Sequence, residues 1–150
     1  MNMIITIIGG GVVGLNCALT LSELRSNDEI FLLEAEPYLG IHSSTRNSEV
    51  LHAGIAYKPN SWKSKLCIQG NPLSYTLFNQ LDVPYQRGIK YVLAFTNAQE
   101  RALEAMLGNI AACGVPGIKR TSPKDVNTMY PFLAPVQAAV FSETTGIVDT

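Results

Sequence analysis

Ile4-Ile5-Thr6-Ile7-Ile8-Gly9-Gly10-Gly11-Val12-Val13-Gly14 decides how this chain folds. A β-branched apolar run, suited to a buried strand, ends in three glycines, and a fourth follows three residues later. Gly9, Gly11 and Gly14 stand at the G-x-G-x-x-G spacing that turns a strand into a helix around a pyrophosphate. Gly11 lets the backbone approach a phosphate, and Gly14 lets the new helix lie close to the sheet. The first amides of such a helix lack intrahelical acceptors and carry positive partial charge, so they stabilise an anion.

The flanks agree with this reading. Val13, Leu15, Ala18, Leu19 and Leu21 predict a helix running to about Arg25. Ile30-Phe31-Leu32-Leu33-Glu34 predicts a second buried strand ending in an acid. Glu34 lies twenty residues beyond Gly14, where a ribose-binding carboxylate belongs. A strand, a helix and a second strand in this order predict an α/β fold built on a parallel pair.

Bulk properties narrow the classes. A chain of 150 residues, 47% hydrophobic and 15% charged, has material for one domain with a real core. A net charge of -1 gives no electrostatic reason to expect nucleic acid. No apolar run approaches the roughly 18 residues of a transmembrane segment. The first strand starts so near Met1 that no targeting segment is expected. Cys17, Cys67 and Cys113 are odd in number and far apart, so they are expected to be reduced, mostly buried thiols of a cytosolic protein. No metal-ligand spacing is present.

Beyond Glu34 comes a polar stretch without period, Pro37 to Ser48, leading into the largely apolar Val50 to Tyr57. It reads either as a solvated loop or as a wrap for a second phosphate and a polar chain, which is more than NAD needs from this position. Ser61 caps a predicted helix that reaches Asp82, with Leu66, Leu73, Leu77 and Leu81 at helical spacing. Asn71-Pro72 reads as an N-cap and a first-turn proline, so a break or kink is expected near Gly70.

A linking segment from Tyr85 to Gly88 leads into a strand from Ile89 to Phe95. A helix capped by Thr96 or Asn97, with Leu103, Leu107 and Ile110 inward, stops at Gly114 and Pro116. A short strand at Gly117 to Lys119, a helix opened by Ser122-Pro123, a strand at Ala138 to Phe141 and an apolar approach through Gly146 to Thr150 complete the pattern. Only two strands belong clearly to the nucleotide-binding sheet, so the chain is expected to be the first part of a longer protein.

Gly9 to Gly14, Glu34 and above all Ser43-Ser44-Thr45-Arg46-Asn47-Ser48-Glu49-Val50-Leu51-His52-Ala53-Gly54-Ile55-Ala56-Tyr57 resemble the N-terminal part of FAD-dependent oxidoreductases of the D-amino-acid oxidase superfamily. Lys58 to Cys67 and Gly146-Ile147-Val148-Asp149 are similar to its L-2-hydroxyglutarate dehydrogenase/oxidase branch. The resemblance implies a Rossmann-like FAD-binding βαβ unit with the beginning of an α+β substrate domain. Residues 1–84 would be the N-terminal part of the FAD-binding domain, and 85–150 the start of the substrate-binding domain.

The same resemblance implies site residues. Gly9, Gly11, Val13 and Gly14 would hold the FAD pyrophosphate, and Glu34 the adenosine ribose. Ser44, Thr45, Arg46 and Asn47 would line the approach to the flavin. His52 would lie at its substrate side, as a proton-accepting base or as a packed flavin contact. The implied reaction takes an L-2-hydroxy acid to the 2-keto acid, with electrons leaving to a quinone or oxygen and with room for peripheral membrane contact. Rival expectations are an amine or amino-acid oxidase of the same superfamily, an NAD-dependent Rossmann enzyme, and a non-catalytic fragment. Residues 1–150 by themselves are expected to show no turnover and to bind FAD weakly.

Overall fold

A computed structural model describes residues 2–149. Thr150, the last residue of the expected apolar approach, lies outside the described residues. The chain forms two compact units, residues 1–48 and 49–150.

The first unit is a βαβ. Strand β1 (Ile4–Ile8) pairs in parallel with β2 (Glu29–Leu33), Ile4 opposite Glu29 and Ile8 opposite Leu33. Helix α1 (Val12–Leu24) joins them. Side chains alternate across the pair, as the pleat requires. Ile7 points toward Gly14 of α1. Ile4, Ile8, Phe31 and Leu33 are on the opposite register positions and are exposed, Ile8 at 87%. No residue of α1 is buried, and Cys17 is exposed, against the expectation of a buried thiol.

The second unit is mixed α and β with antiparallel sheets. Strand β3 (Val50–Leu51) and β4 (Tyr85–Arg87) flank β8 (Gly146–Val148). Strand β5 (Lys90–Ala94) and β6 (Ile118–Thr121) flank β7 (Ala138–Ser142). Alternation along β7 sorts its core. Val140 packs with Ala94 and Leu103 of α3 (Asn97–Cys113), while Ala139, its neighbour, packs with Val126 of α4 (Pro123–Met129) and Val136. A third cluster gathers Ala53, Ile55, Ile110 and Val115, with Ile68 of α2 (Trp62–Gln80) against it.

The caps follow the sequence. Ser61, Thr96 and Ser122 each accept an amide from three residues on, at Ser64, Gln99 and Asp125. Gly114 closes α3 in the left-handed region at φ 68°. Two expectations change. Tyr85 to Arg87 and Gly146 to Val148 are strands rather than a link and an approach, because each supplies the hydrogen-bonding partner of the other. Helix α2 runs unbroken through Gly70, Asn71 and Pro72. Asn71 is not a cap. It is 4% exposed, and its side-chain amide donates to the carbonyls of His52 (3.2 Å) and Thr144 (2.9 Å).

The compact units divide at Ser48/Glu49. The cause is α2. Asn71 and Tyr75 both donate to the Thr144 carbonyl, which ties residues 62–80 to the end of the chain.

Candidate functional site

In the first unit the glycine turn joins β1 to α1. Gly9 adopts φ +105°, open to glycine and strained for other residues, and its amide donates to Leu33 O at 2.8 Å. This bond joins the end of β1 to the end of β2. A Cβ on Gly14 would overlap the Gly9 carbonyl oxygen, so only glycine lets α1 start this close to the strand. The amide of Leu15 makes the first intrahelical bond, to Gly11 O at 2.9 Å. The amides of Val13 and Gly14 have no acceptor among the described residues.

Glu34 follows β2 directly. Its carboxylate accepts the Gly10 amide (2.6 Å) through one oxygen and the Glu36 amide (2.9 Å) through the other. Those amides, Glu36's first and Gly10's second, hold its pKa below the usual carboxylate value. The acid is therefore ionised and fixed beside the turn, with lone pairs left for further donors. This contact also gives Gly10 a role that spacing did not reveal. A Cβ there would sit 2.5 Å from Leu39 Cδ2 and 3.0 Å from Glu34 Oε2.

The polar stretch folds back on the same turn. Gly40 donates to Gly10 O at 3.0 Å. Ser44 Oγ accepts the Val12 amide at 2.9 Å, so it caps α1 from thirty-two residues away. Thr45 Oγ1 donates to Gly40 O (2.8 Å), and Asn47 Nδ2 donates to the carbonyls of Ser43 (3.2 Å) and Ser44 (2.9 Å). Arg46 is exposed and makes no ion pair among the described residues. His42 meets Glu36 at 3.0 Å. The structure therefore gathers Gly9, Gly11, Val13, Gly14, Glu34 and Ser44 at one turn, with Thr45 and Asn47 bracing the segment. The unpartnered amides at a helix start and the carboxylate beside them fit a dinucleotide such as FAD.

His52 belongs to the second unit. It lines a cavity of about 130 Å³ with Ala53, Ile55, Ala56, Tyr57, Lys90 and Thr145. The His52 and Tyr57 rings meet edge to face at 6.4 Å, and Lys63 Nζ lies 4.6 Å from the Tyr57 ring centre. Burial, then the charges of Lys90 and Lys63, lower the His52 pKa from 6.5. The imidazole is thus neutral around pH 7 and able to accept a proton.

The backbone here is pinned from α2. Cys67 Sγ and Asn71 Nδ2 both donate to His52 O, and burial raises the Cys67 pKa, keeping that thiol protonated as a donor. Gly54 sits at φ +91° with Ile68 Cγ1 3.0 Å from where a Cβ would be. Sequence reading missed Asn71 and Lys90. No local signal marked either: the leucines that predicted an inward face, Leu66, Leu73 and Leu81, are exposed, and α2 buries Ser64, Asn71 and Tyr75 instead.

The model of the FAD dependent oxidoreductase (DAO) family matches residues 5–150. The chain is 36% identical over 145 residues to "L-2-hydroxyglutarate dehydrogenase, mitochondrial" of Caenorhabditis briggsae, covering 97% of this chain and 33% of that protein. The Homo sapiens protein of the same name is also 36% identical, with 97% and 31% covered. Their names place those relatives in mitochondria, which differs from the cytosolic setting expected from the cysteines. Among solved structures, reduced L-alpha-glycerophosphate oxidase from Mycoplasma pneumoniae with FAD bound superposes with a TM-score of 0.83 at 26% identity, over 99% of this chain and 40% of that one. Glycine oxidase from Geobacillus kaustophilus shares the fold at a TM-score of 0.78 and 21% identity, over 99% and 41%. The chain spans about a third of the length of the dehydrogenases. With the family model matching nearly every residue, the chain belongs to the FAD dependent oxidoreductase family.

Proposed function

We propose that this chain is the N-terminal portion of an FAD-dependent enzyme oxidising an L-2-hydroxy acid, 2-hydroxyglutarate-like, to the 2-keto acid. The observation that carries it is the 36% identity over 145 residues to L-2-hydroxyglutarate dehydrogenases, which spans both the glycine turn and the His52 cavity. When bound, FAD supplies the hydride-accepting ring. This chain's own residues do the rest. The amides of Val13 and Gly14, with the backbone of Gly9 and Gly11, hold the pyrophosphate. Glu34 accepts the ribose hydroxyls, while Ser44, Thr45, Arg46 and Asn47 line the flavin approach. His52 takes the substrate hydroxyl proton on an imidazole nitrogen kept neutral by its lowered pKa.

The division into a flavin-binding part (1–84) and the start of a substrate domain (85–150) belongs to the same proposal. So do a quinone or oxygen as electron acceptor and peripheral contact at the inner membrane. No helix among the described residues is long and apolar enough to cross a membrane.

The experiment is a spectrum of the full-length protein carrying this chain, followed by anaerobic addition of L-2-hydroxyglutarate. A flavin spectrum that bleaches on addition is expected. A folded, colourless protein that binds NAD would overturn the cofactor assignment. Bleaching by amino acids but not by hydroxy acids would overturn the substrate class.

A further inference from the structure

Lys90 opens β5 on the face that Val92 and Ala94 also occupy, two and four residues on. Those two pack in the α3 cluster, with Ala94 1% exposed. A lysine on a core-facing stripe is uncommon unless its charge is answered, because removing an ammonium from water is costly. Lys119 and Arg120 each have an acid, Glu143 and Glu104. Lys90 has none within ion-pair distance among the described residues, and it is half-buried.

Its surroundings form a small cationic chamber. Lys90 shares the 130 Å³ cavity with His52, Tyr57 and Thr145, and apolar walls come from Ala53, Ile55 and Ala56. That volume equals about four waters of liquid, enough for a carboxylate and the carbon next to it. Lys63, from α2, stands over Tyr57 and adds a second positive charge. Both lysines lower the His52 pKa, and no acid offsets them there.

The chamber is held in shape before any ligand arrives. Gly88 and Ile89 donate to Thr145 O at 2.9 and 3.4 Å, which fixes the start of β5. Thr145 Oγ1 bonds Ser142 Oγ at 2.8 Å, and Ser142 is the register partner of Lys90.

We propose that Lys90 is the substrate-binding residue that holds the carboxylate of the 2-hydroxy acid, seating it beside His52 in this cavity. This rests on the hydroxy-acid reading above and adds the residue that would recognise the acid. A charged amine facing a carboxylate in a partly dry cavity makes a stronger bond than a neutral pair. His52 in the same chamber is then within reach of the hydroxyl on the adjoining carbon.

The test uses the full-length flavoprotein, comparing wild type with Lys90→Met and Lys90→Arg. FAD content and thermal melting are recorded for each. Wild type must first reduce its flavin with an L-2-hydroxy acid; if no acid in a panel does so, the functional reading fails and this inference with it. Given that activity, Lys90→Met should raise KM for L-2-hydroxyglutarate and the Kd of 2-oxoglutarate, read by perturbation of the flavin spectrum, by on the order of ten- to a hundredfold. Lys90→Arg should recover part of both. In wild type, 2-oxoglutarate should raise the His52 pKa followed by NMR, a readout that does not depend on either variant folding. Unchanged KM and Kd in folded Lys90→Met would overturn the inference and leave the hydroxy-acid reading standing. So would an unmoved His52 titration in wild type saturated with 2-oxoglutarate.

Discussion

The two units use opposite means to place functional groups. Residues 1–48 have backbone as their working surface: free amides at a helix start, a positive-φ glycine, and a carboxylate clamped by two amides. Their apolar residues are exposed on one side of the strand pair. Residues 49–150 have three buried clusters and place side chains, His52 and Lys90, in a cavity walled by that core. Backbone recognition needs glycine at fixed positions and little else nearby, whereas side-chain recognition needs a packed wall to aim the group. The first should be broken by adding one carbon. The second should be broken by removing functional groups, and should tolerate added carbon where there is space.

The largest expected effect is Gly14→Ala. The new Cβ meets the Gly9 carbonyl, so turn and helix must separate. The full-length variant should purify without yellow colour, as its absorption spectrum would show. A fully loaded variant would mean the backbone account of the first unit is mistaken.

His52→Ala comes next, with flavin reduction slowed by about 100-fold or more while FAD stays bound, measured by stopped flow. The pH profile sharpens this. Burial and the charges of Lys90 and Lys63 lower the His52 pKa from 6.5. The neutral base therefore persists to lower pH, and kcat/KM should begin its acid-side fall below pH 6.5. A fall centred above that value would contradict the cationic surroundings.

Asn71→Ala removes the donor shared by two carbonyls. Loss of about 2 kcal/mol in urea unfolding is expected, from two buried hydrogen bonds at about 1 kcal/mol each, since Cys67 and Tyr75 still donate to those carbonyls. Glu34→Ala should weaken FAD about tenfold in a titration of the full-length apoprotein, since the proposed charged acceptor for ribose is gone. The smallest effect runs the other way. Gly108 lies inside α3 with nothing within 4 Å of an added Cβ. Gly108→Ala should stabilise by about 0.5–1 kcal/mol in the same unfolding assay. Destabilisation there would remove the contrast between an added carbon at Gly14 and one in open space.

These two modes also explain what could be read from sequence. The glycine turn, the strand before it and the acid ending the second strand were legible because a tight strand-to-helix turn writes itself into local spacing. The caps at Ser61, Thr96 and Ser122 were legible for the same reason. Asn71 was misread because Asn-Pro is a local signal for a helix start, and the partners that overrule it, His52 and Thr144, lie 19 and 73 residues away. Ser44 was read as a loop hydroxyl near the cofactor, and only the folded chain shows it capping α1. Lys90 was passed over since nothing local distinguishes a strand's first lysine from a solvated one. β8 needed its neighbours, being three residues long and flanked by β3 and β4 from distant parts of the chain.

The bonds from Asn71 and Tyr75 to the Thr144 carbonyl span 73 and 69 residues. On the ribosome, α2 emerges long before that carbonyl exists. At synthesis rates of about 5–20 residues per second, its two donors wait several seconds for an acceptor. During that interval the helix has a polar seam where its core face should be, and closing the loop comes before any reward from the contacts it permits. The second unit should therefore be a late folder, incomplete until residue 144 clears the exit tunnel. A nascent chain stalled short of that point should bind chaperones through α2 more persistently than one stalled beyond it.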